Sequence, residues 1–235
     1  MMNKEREPIN GTGNGTAEIG TPRAAVGRLS LYLRQVETLH RAGKATVSSN
    51  QLGTALEITD AQVRKDLAYF GQFGHPGIGY KVGPLRDALR SVLGTNREWR
   101  VALIGVGNLG RALLGYQGFA GRGFSICALF DRDPNVIGRQ FHGMTVLPLD
   151  TMCELGPRLG IELAILAVPS ESAEEVAHEA ARCGINGFLN FAPVPLKLPS
   201  EYNVVSVDLG LQLEQLAFQV TKRNGHSYEP DLDNE

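Results

Sequence analysis

The segment VALIGVGNLGRALLGY, residues 101–116, constrains this chain more than any other. An apolar run that ends in Gly105-x-Gly107-x-x-Gly110 and passes straight into a helical pattern predicts strand, glycine turn and helix. In that context the three glycines serve, in order, a tight turn, close approach of backbone to a pyrophosphate, and close packing of helix on strand. The intervening Val106, Asn108 and Leu109 share the phosphate-facing turn, where a helix N-terminus offers unpaired N–H donors to an anion. An acidic residue is expected about twenty positions on to bind ribose hydroxyls, and Asp131 closes the next apolar run. Asp131 would repel a 2′-phosphate and so favours NAD(H) over NADP(H), while its neighbour Arg132 opposes that preference.

From Trp99 onward strands and helices alternate. Strands are expected over 100–104, 125–130, 144–148, 163–168, 187–190 and 204–207, with helices starting near Asn108, Leu149, Ser170 and Leu209. Continuous apolar strands such as LAILAV belong to a parallel sheet covered on both faces, hence an α/β doubly wound Rossmann domain. The ends of its later strands carry Val168-Pro169 and Asn190-Phe191-Ala192, candidate neighbours of a nicotinamide ring. They supply apolar packing and an amide but no general base. His142 and His178 are isolated and no Tyr-x-x-x-Lys occurs, so the expectation is a binding site without chemistry rather than an enzyme.

The region before this domain has a different character. Residues 1–21 lack periodic apolar positions and read as a disordered tail. Val26, Leu29, Leu33, Val36 and Leu39 then mark one face of a helix opened by Pro22 and ended by Gly43. Ser48-x-x-Gln51 and Thr59-x-x-Gln62 both fit the capping box, starting two short helices joined by Glu57-Ile58-Thr59. That order is helix-turn-helix. The glycines at 71, 74, 77 and 79, followed by Tyr80-Lys81-Val82, predict a hairpin, the wing of a winged helix, and a helix runs from Pro84 to about Leu93. Between Pro22 and Arg86 nine cations face four anions, a local +5 within a chain of formal net charge −2. A basic third on an acidic remainder suggests a polyanionic partner for that third alone. In the helix from Asp60 to Phe70, Val63, Leu67 and Phe70 should pack inward. Gln62, Arg64, Lys65 and Tyr69 would then face DNA, joined by Ser49 from the preceding helix.

The domain boundaries that follow are a winged helix over 22–96, a Rossmann domain over 97–208, a C-terminal helix over 209–225 and a flexible tail over 226–235. Cys127, Cys153 and Cys183 are an odd number and widely spaced, so neither a disulfide framework nor a metal site is expected and each reads as a buried, inert thiol. The N-terminus has no apolar core of a secretory signal and no run is long enough to span a bilayer, which reads as cytoplasmic.

The segments RLSLYLRQVETL, VSSNQLG, QVRKDLAYFGQFG, GIGYKV, VALIGVGNLG, FDRDPNVIG, ILAVP, GFLNFAPVPL and VDLGLQLEQL occur in an order that resembles the Rex family of redox-sensing transcriptional repressors. The resemblance runs from about Arg28 to the C-terminal helix. It implies a homodimer that holds palindromic operator DNA until NADH binds and releases it, with NAD⁺ a weaker competitor. It places Arg64 and Lys65 on the recognition helix, Gly77, Gly79 and Tyr80 in the wing, and Phe191 near the nicotinamide. It also implies a polar relay of Arg34, Tyr116 and Asp208 of the partner subunit, and a swapped C-terminal helix carrying Leu209, Leu213, Leu216 and Val220. One departure stands out: the family has a basic residue just before the position of Gly77, where this chain has Pro76 behind His75.

Overall fold

The computed structural model describes residues 23–75 and 78–223. Both expected tails, together with Pro76 and the wing glycine Gly77, lie outside the described residues. The chain divides into two compact units between Gly94 and Thr95.

The first unit runs α1 (Arg23–Arg41), β1 (Thr46–Val47), α2 (Ser49–Leu56), α3 (Asp60–Phe70), β2 (Gly74–His75), β3 (Gly79–Lys81) and α4 (Val82–Val92). The three strands form a small antiparallel sheet with β3 in the middle. Leu29 and Val36 of α1 are fully buried as the periodicity requires, but Val26 is exposed and the third core residue is Tyr32. The inward face is thus rotated toward an aromatic that a purely aliphatic pattern passes over. It packs on Leu52, Val63, Leu67, Leu85 and Leu89. Ser48 and Gln51 form the reciprocal capping box, the Ser48 hydroxyl accepting from the Gln51 N–H and the Gln51 amide oxygen from the Ser48 N–H. At the next helix only half of the expected box exists: Thr59 accepts from the Gln62 N–H, while the Gln62 side chain turns to Asp66. The last helix starts two residues before Pro84, because the Val82 N–H is satisfied by Ala45 O. Pro84 then sits in the first turn, where no N–H is needed.

The second unit runs β4 (Trp99–Ile104), α5 (Asn108–Leu114), β5 (Phe124–Asp131), β6 (Gln140–Phe141), β7 (Met144–Pro148), α6 (Met152–Arg158), β8 (Leu163–Leu166), α7 (Ser170–Arg182), β9 (Gly187–Asn190), β10 (Asn203–Ser206) and α8 (Leu209–Arg223). The sheet order is β10-β9-β8-β4-β5-β7-β6, parallel throughout except for the β6–β7 edge pair. The strand order reverses between β4 and β8, the crevice where open α/β sheets bind ligands. β8 ends two residues earlier than expected, since Ala167-Val168-Pro169 turns out of the sheet into α7.

On one face of this sheet, α6 and α7 cover Ile104, Phe130, Leu166 and Phe188 with Met152, Ala173, Val176, Ala177 and Ala180. On the other, α5 brings only Leu113 and Leu114 to Leu103, Leu129 and Ile165. Seven residues are too few to cover that face. A shallow apolar cavity of about 420 Å³ remains there, lined by Val101, Phe124, Ile126, Leu163, Leu189 and Val205 among others. Two-sided cover, expected from the apolar strands, is therefore incomplete within one chain. α8 buries none of its residues, leaving Leu209, Leu213, Leu216 and Val220 exposed.

The cysteines correct the sequence reading. Cys153, exposed in α6, and Cys183, which ends α7, form a disulfide across 30 positions with Cα atoms 4.3 Å apart. No local motif announces the pair because helix packing, not spacing, brings the two together. Cys127 alone is a free thiol.

Candidate functional site

Gly105 leaves β4 with φ +91°, and its N–H donates to Phe130 O on β5. A Cβ at 105 would lie 2.5 Å from Ala167 O, and one at 110 would lie 2.0 Å from Gly105 O. Neither position admits a side chain. Gly107 differs: a Cβ there meets nothing within 4 Å, so the chain's own atoms leave the space above the turn free. Gly107, Asn108 and Leu109 are exposed at the start of α5, while Val106 is buried beneath them. A tight turn, an open glycine at the helix start and a closely packed third glycine fit a dinucleotide pyrophosphate.

Asp131 ends β5 at the rim of this turn. Its carboxylate accepts from the Val106 N–H at 2.7 Å and the Asp133 N–H at 2.9 Å, which fixes it beside the glycine loop. Arg132 is engaged elsewhere, donating to Glu175 and Glu179 of α7 at 3.0 and 2.6 Å. In the chain itself its guanidinium ties the acidic rim to α7. Val168 and Pro169 lie between β8 and α7, across from the glycine turn. Asn190 is fully buried, its Nδ2 donating to Ala192 O and Val194 O and its Oδ1 accepting from the Ala192 N–H. Its side chain thereby forms a bracket that shapes the loop bearing Phe191 and Ala192.

In the first unit, α3 exposes Ala61, Arg64, Lys65, Ala68 and Tyr69 on one stripe. Arg64 bonds Asp60 at 2.6 Å and Ser49 Oγ at 3.2 Å, so Ser49 orients an arginine at the edge of α2. Lys65 makes no ion pair among the described residues. Beside the stripe, a cavity of about 680 Å³ is walled by Ser49, Arg64 and Ala68 on the helix side and by Gly74, Gly79 and Tyr80 on the hairpin side. Burial pushes the Tyr80 phenol up from its ordinary pKa.

Comparison with known proteins decides between a dehydrogenase and a regulator on this scaffold. Residues 20–68 match a family described as a putative DNA-binding protein N-terminus, and residues 96–194 match the CoA binding domain family. The chain is 44% identical over 201 residues to the redox-sensing transcriptional repressor Rex of Carboxydothermus hydrogenoformans, covering 86% of this chain and 97% of that one. It is 46% identical over 211 residues to the Rex of Rhodopirellula baltica, covering 90% and 88%. The chain belongs to the Rex family. Crystal structures of RSP, a Rex-family repressor, agree. The form in complex with β-NAD⁺ and operator DNA superposes with a TM-score of 0.82 at 31% identity, covering 87% of this chain and 94% of that one. The form with β-NADH gives 0.78 at 29% identity, covering 87% and 96%. Rex members are transcriptional repressors and not dehydrogenases, whatever the Rossmann scaffold suggests.

One element of this Rex chain escaped sequence reasoning. Asp66, only 5% exposed, accepts two hydrogen bonds from Arg28 at 2.6 and 2.8 Å, one from the buried Tyr32 hydroxyl at 2.8 Å and one from Gln62 Nε2 at 2.7 Å. Gln62 is therefore engaged with its own helix in the chain by itself. The Arg28 guanidinium holds the Asp66 carboxyl below the usual carboxylate range, with Tyr32 and Gln62 adding to the effect. Burial, then the bond to Asp66, pushes the Tyr32 phenol up. The signal was present but unread: Asp66 lies on the stripe of Val63, Leu67 and Phe70, where a carboxylate must find partners.

Proposed function

We propose that this Rex protein represses transcription as a cytoplasmic homodimer, binding palindromic operator DNA through a winged helix in its first unit and leaving it when NADH occupies the second. The observation that carries this reading is the pairing, on one chain, of an exposed cationic helix stripe beside a hairpin with a glycine turn open at Gly107. Arg64, Lys65 and Tyr69 supply groove and phosphate contacts, with Ser49, Gly79 and Tyr80 at the flanks. Gly105 to Gly110 and Asp131 hold the pyrophosphate and ribose. Val168, Pro169, Phe191 and Ala192 face the nicotinamide.

A reduced nicotinamide ring is neutral and apolar, whereas the oxidised ring carries a positive charge. Apolar walls at Phe191 and Pro169 therefore prefer the reduced form, and a conformational equilibrium moves only by such differential affinity. The relay that the family resemblance implies for Arg34, Tyr116 and Asp208 is tested by replacing each in turn and asking whether NADH still binds but no longer releases the operator. In the single chain Tyr116 stacks edge-on against Phe119 at 5.0 Å, and Asp208 accepts the Leu211 N–H at the start of α8.

The test is fluorescence anisotropy on a palindromic operator, titrated separately with NADH and NAD⁺. NADH is expected to release the DNA at a much lower concentration; equal potency of the two forms refutes the redox reading. Arg64→Ala with Lys65→Ala should weaken operator binding by about 100-fold or more and flatten its salt dependence, leaving NADH affinity unchanged. Retained operator affinity would show that α3 is not the reading helix.

Dimer formation rests on two apolar surfaces that a single chain leaves open, the α8 stripe and the sheet face at Val101, Ile126 and Leu163. A second copy exchanging α8 would cover both kinds of surface by one twofold operation. Leu213→Asp with Leu216→Asp is expected to halve the mass seen by light scattering and to lower operator affinity. A dimer persisting in that variant excludes α8 from the interface.

A further inference from the structure

The thiol pair lies outside both sites, yet it joins the two helices that cover one face of the nucleotide unit. Cys153 is exposed on α6, and Cys183 is 7% exposed at the end of α7. α7 begins at Ser170, just after Pro169 and near the glycine turn, and carries Glu175 and Glu179, which grip Arg132 next to Asp131. α7 therefore touches the rim of the crevice read above as the NADH site at its start and, through Arg132, next to Asp131. A chain that works on DNA works where small thiols keep most cysteines reduced, and disulfides formed in such compartments are usually transient or redox-sensing.

We propose that Cys153 and Cys183 are a reversible dithiol–disulfide pair, giving this repressor a second redox input from low-molecular-weight thiols and disulfides. The exposed Cys153 thiolate attacks one sulfur of a small disulfide RSSR, forming a mixed disulfide and expelling RS⁻. The Cys183 thiolate then attacks the Cys153 sulfur and expels the second RS⁻. The two protons lost by the protein thiols end on the two released RSH molecules, and the two electrons lost by the protein reduce RSSR. Reduction runs backward through the same exposed sulfur. Closure links α6 to α7, restricts α7 and preorganises the Asp131 rim, so the oxidised chain binds NADH more tightly. This last step rests on the NADH reading proposed above.

The experiment equilibrates the full chain in graded mixtures of oxidised and reduced glutathione, alkylates it under denaturing conditions and weighs it. Oxidised protein is expected to take a single label, at Cys127, and reduced protein three, one for each cysteine. NADH titration of the two forms should differ by about five-fold or more. Cys153→Ser, at an exposed position, should abolish that difference while melting like the reduced parent. A pair that stays reduced in excess oxidised glutathione overturns the proposal, as does a pair that the folded chain never releases to reductant. Equal NADH affinity in the two forms overturns the second input. A chain that binds NADH in neither form sinks the function proposed above, while the mass readout still decides the thiol chemistry.

Discussion

Gly107→Ala is expected to leave the fold unchanged and to weaken NADH binding by about 100-fold, producing a repressor that NADH no longer releases. The reasoning separates two kinds of glycine in one motif. At 107 an added methyl touches nothing in the chain, so thermal stability should stay within about 0.5 kcal/mol of the parent. That methyl would stand where a pyrophosphate approaches the helix N-terminus, and the lost backbone contacts are charge-assisted ones. Gly110→Ala should behave oppositely. Its methyl meets Gly105 O at 2.0 Å, backbone against backbone, so α5 must move off β4. Stability should fall by several kcal/mol, toward the upper range of single substitutions, and NADH binding should go with it. Nicotinamide fluorescence and thermal melts of both variants check the pair. If Gly107→Ala binds NADH within about three-fold of the parent, the pyrophosphate does not rest on this turn.

Asp66→Asn is expected to destabilise the first unit by about 2–4 kcal/mol, the cost of breaking a buried charge pair discounted because Arg28 keeps 29% of its surface in water. Asparagine removes the charge and one of two acceptor oxygens, leaving Tyr32 or Arg28 short of a partner in the core. Because the network ties α3 to α1, operator affinity should drop with stability although Asp66 is buried away from the exposed Arg64 and Lys65 stripe. The sign of its pH dependence follows from the shift. Asp66 has a folded pKa held below its unfolded value, so its contribution is present above pH about 4 and is lost as pH falls through the folded pKa. Tyr32 has a folded pKa raised above its unfolded value, so its share is present below pH about 10 and is lost as pH rises further. Melting temperature against pH should therefore separate parent from Asp66→Asn across the neutral range and converge in strong acid. Curves that run parallel into acid would show that the carboxylate charge contributes nothing.

The Rossmann sheet and its glycine turn were legible because both follow from local chemistry. An apolar strand, three glycines and a helix start specify a turn whatever surrounds them, and Asp131 falls at the next strand end by the period of the βαβ unit. The helix order of the first unit was legible for the same reason: Ser48 and Thr59 satisfy N–H groups only a few residues away. Side-chain partnerships between distant segments were not. Asp66 meets Arg28 across 38 positions, Arg132 meets Glu179 across 47, and Cys153 meets Cys183 across 30. Each depends on how helices settle on a core, and an amino-acid pattern of period 3.6 or 2 says which face turns inward but not which residue of another element waits there. The sequence alone therefore determined the elements, their order and the glycine turn. Only the tertiary structure decided that Gln62, Arg132 and Asn190 bond within the protein, because a polar group's partner is chosen by packing, after the chain has folded.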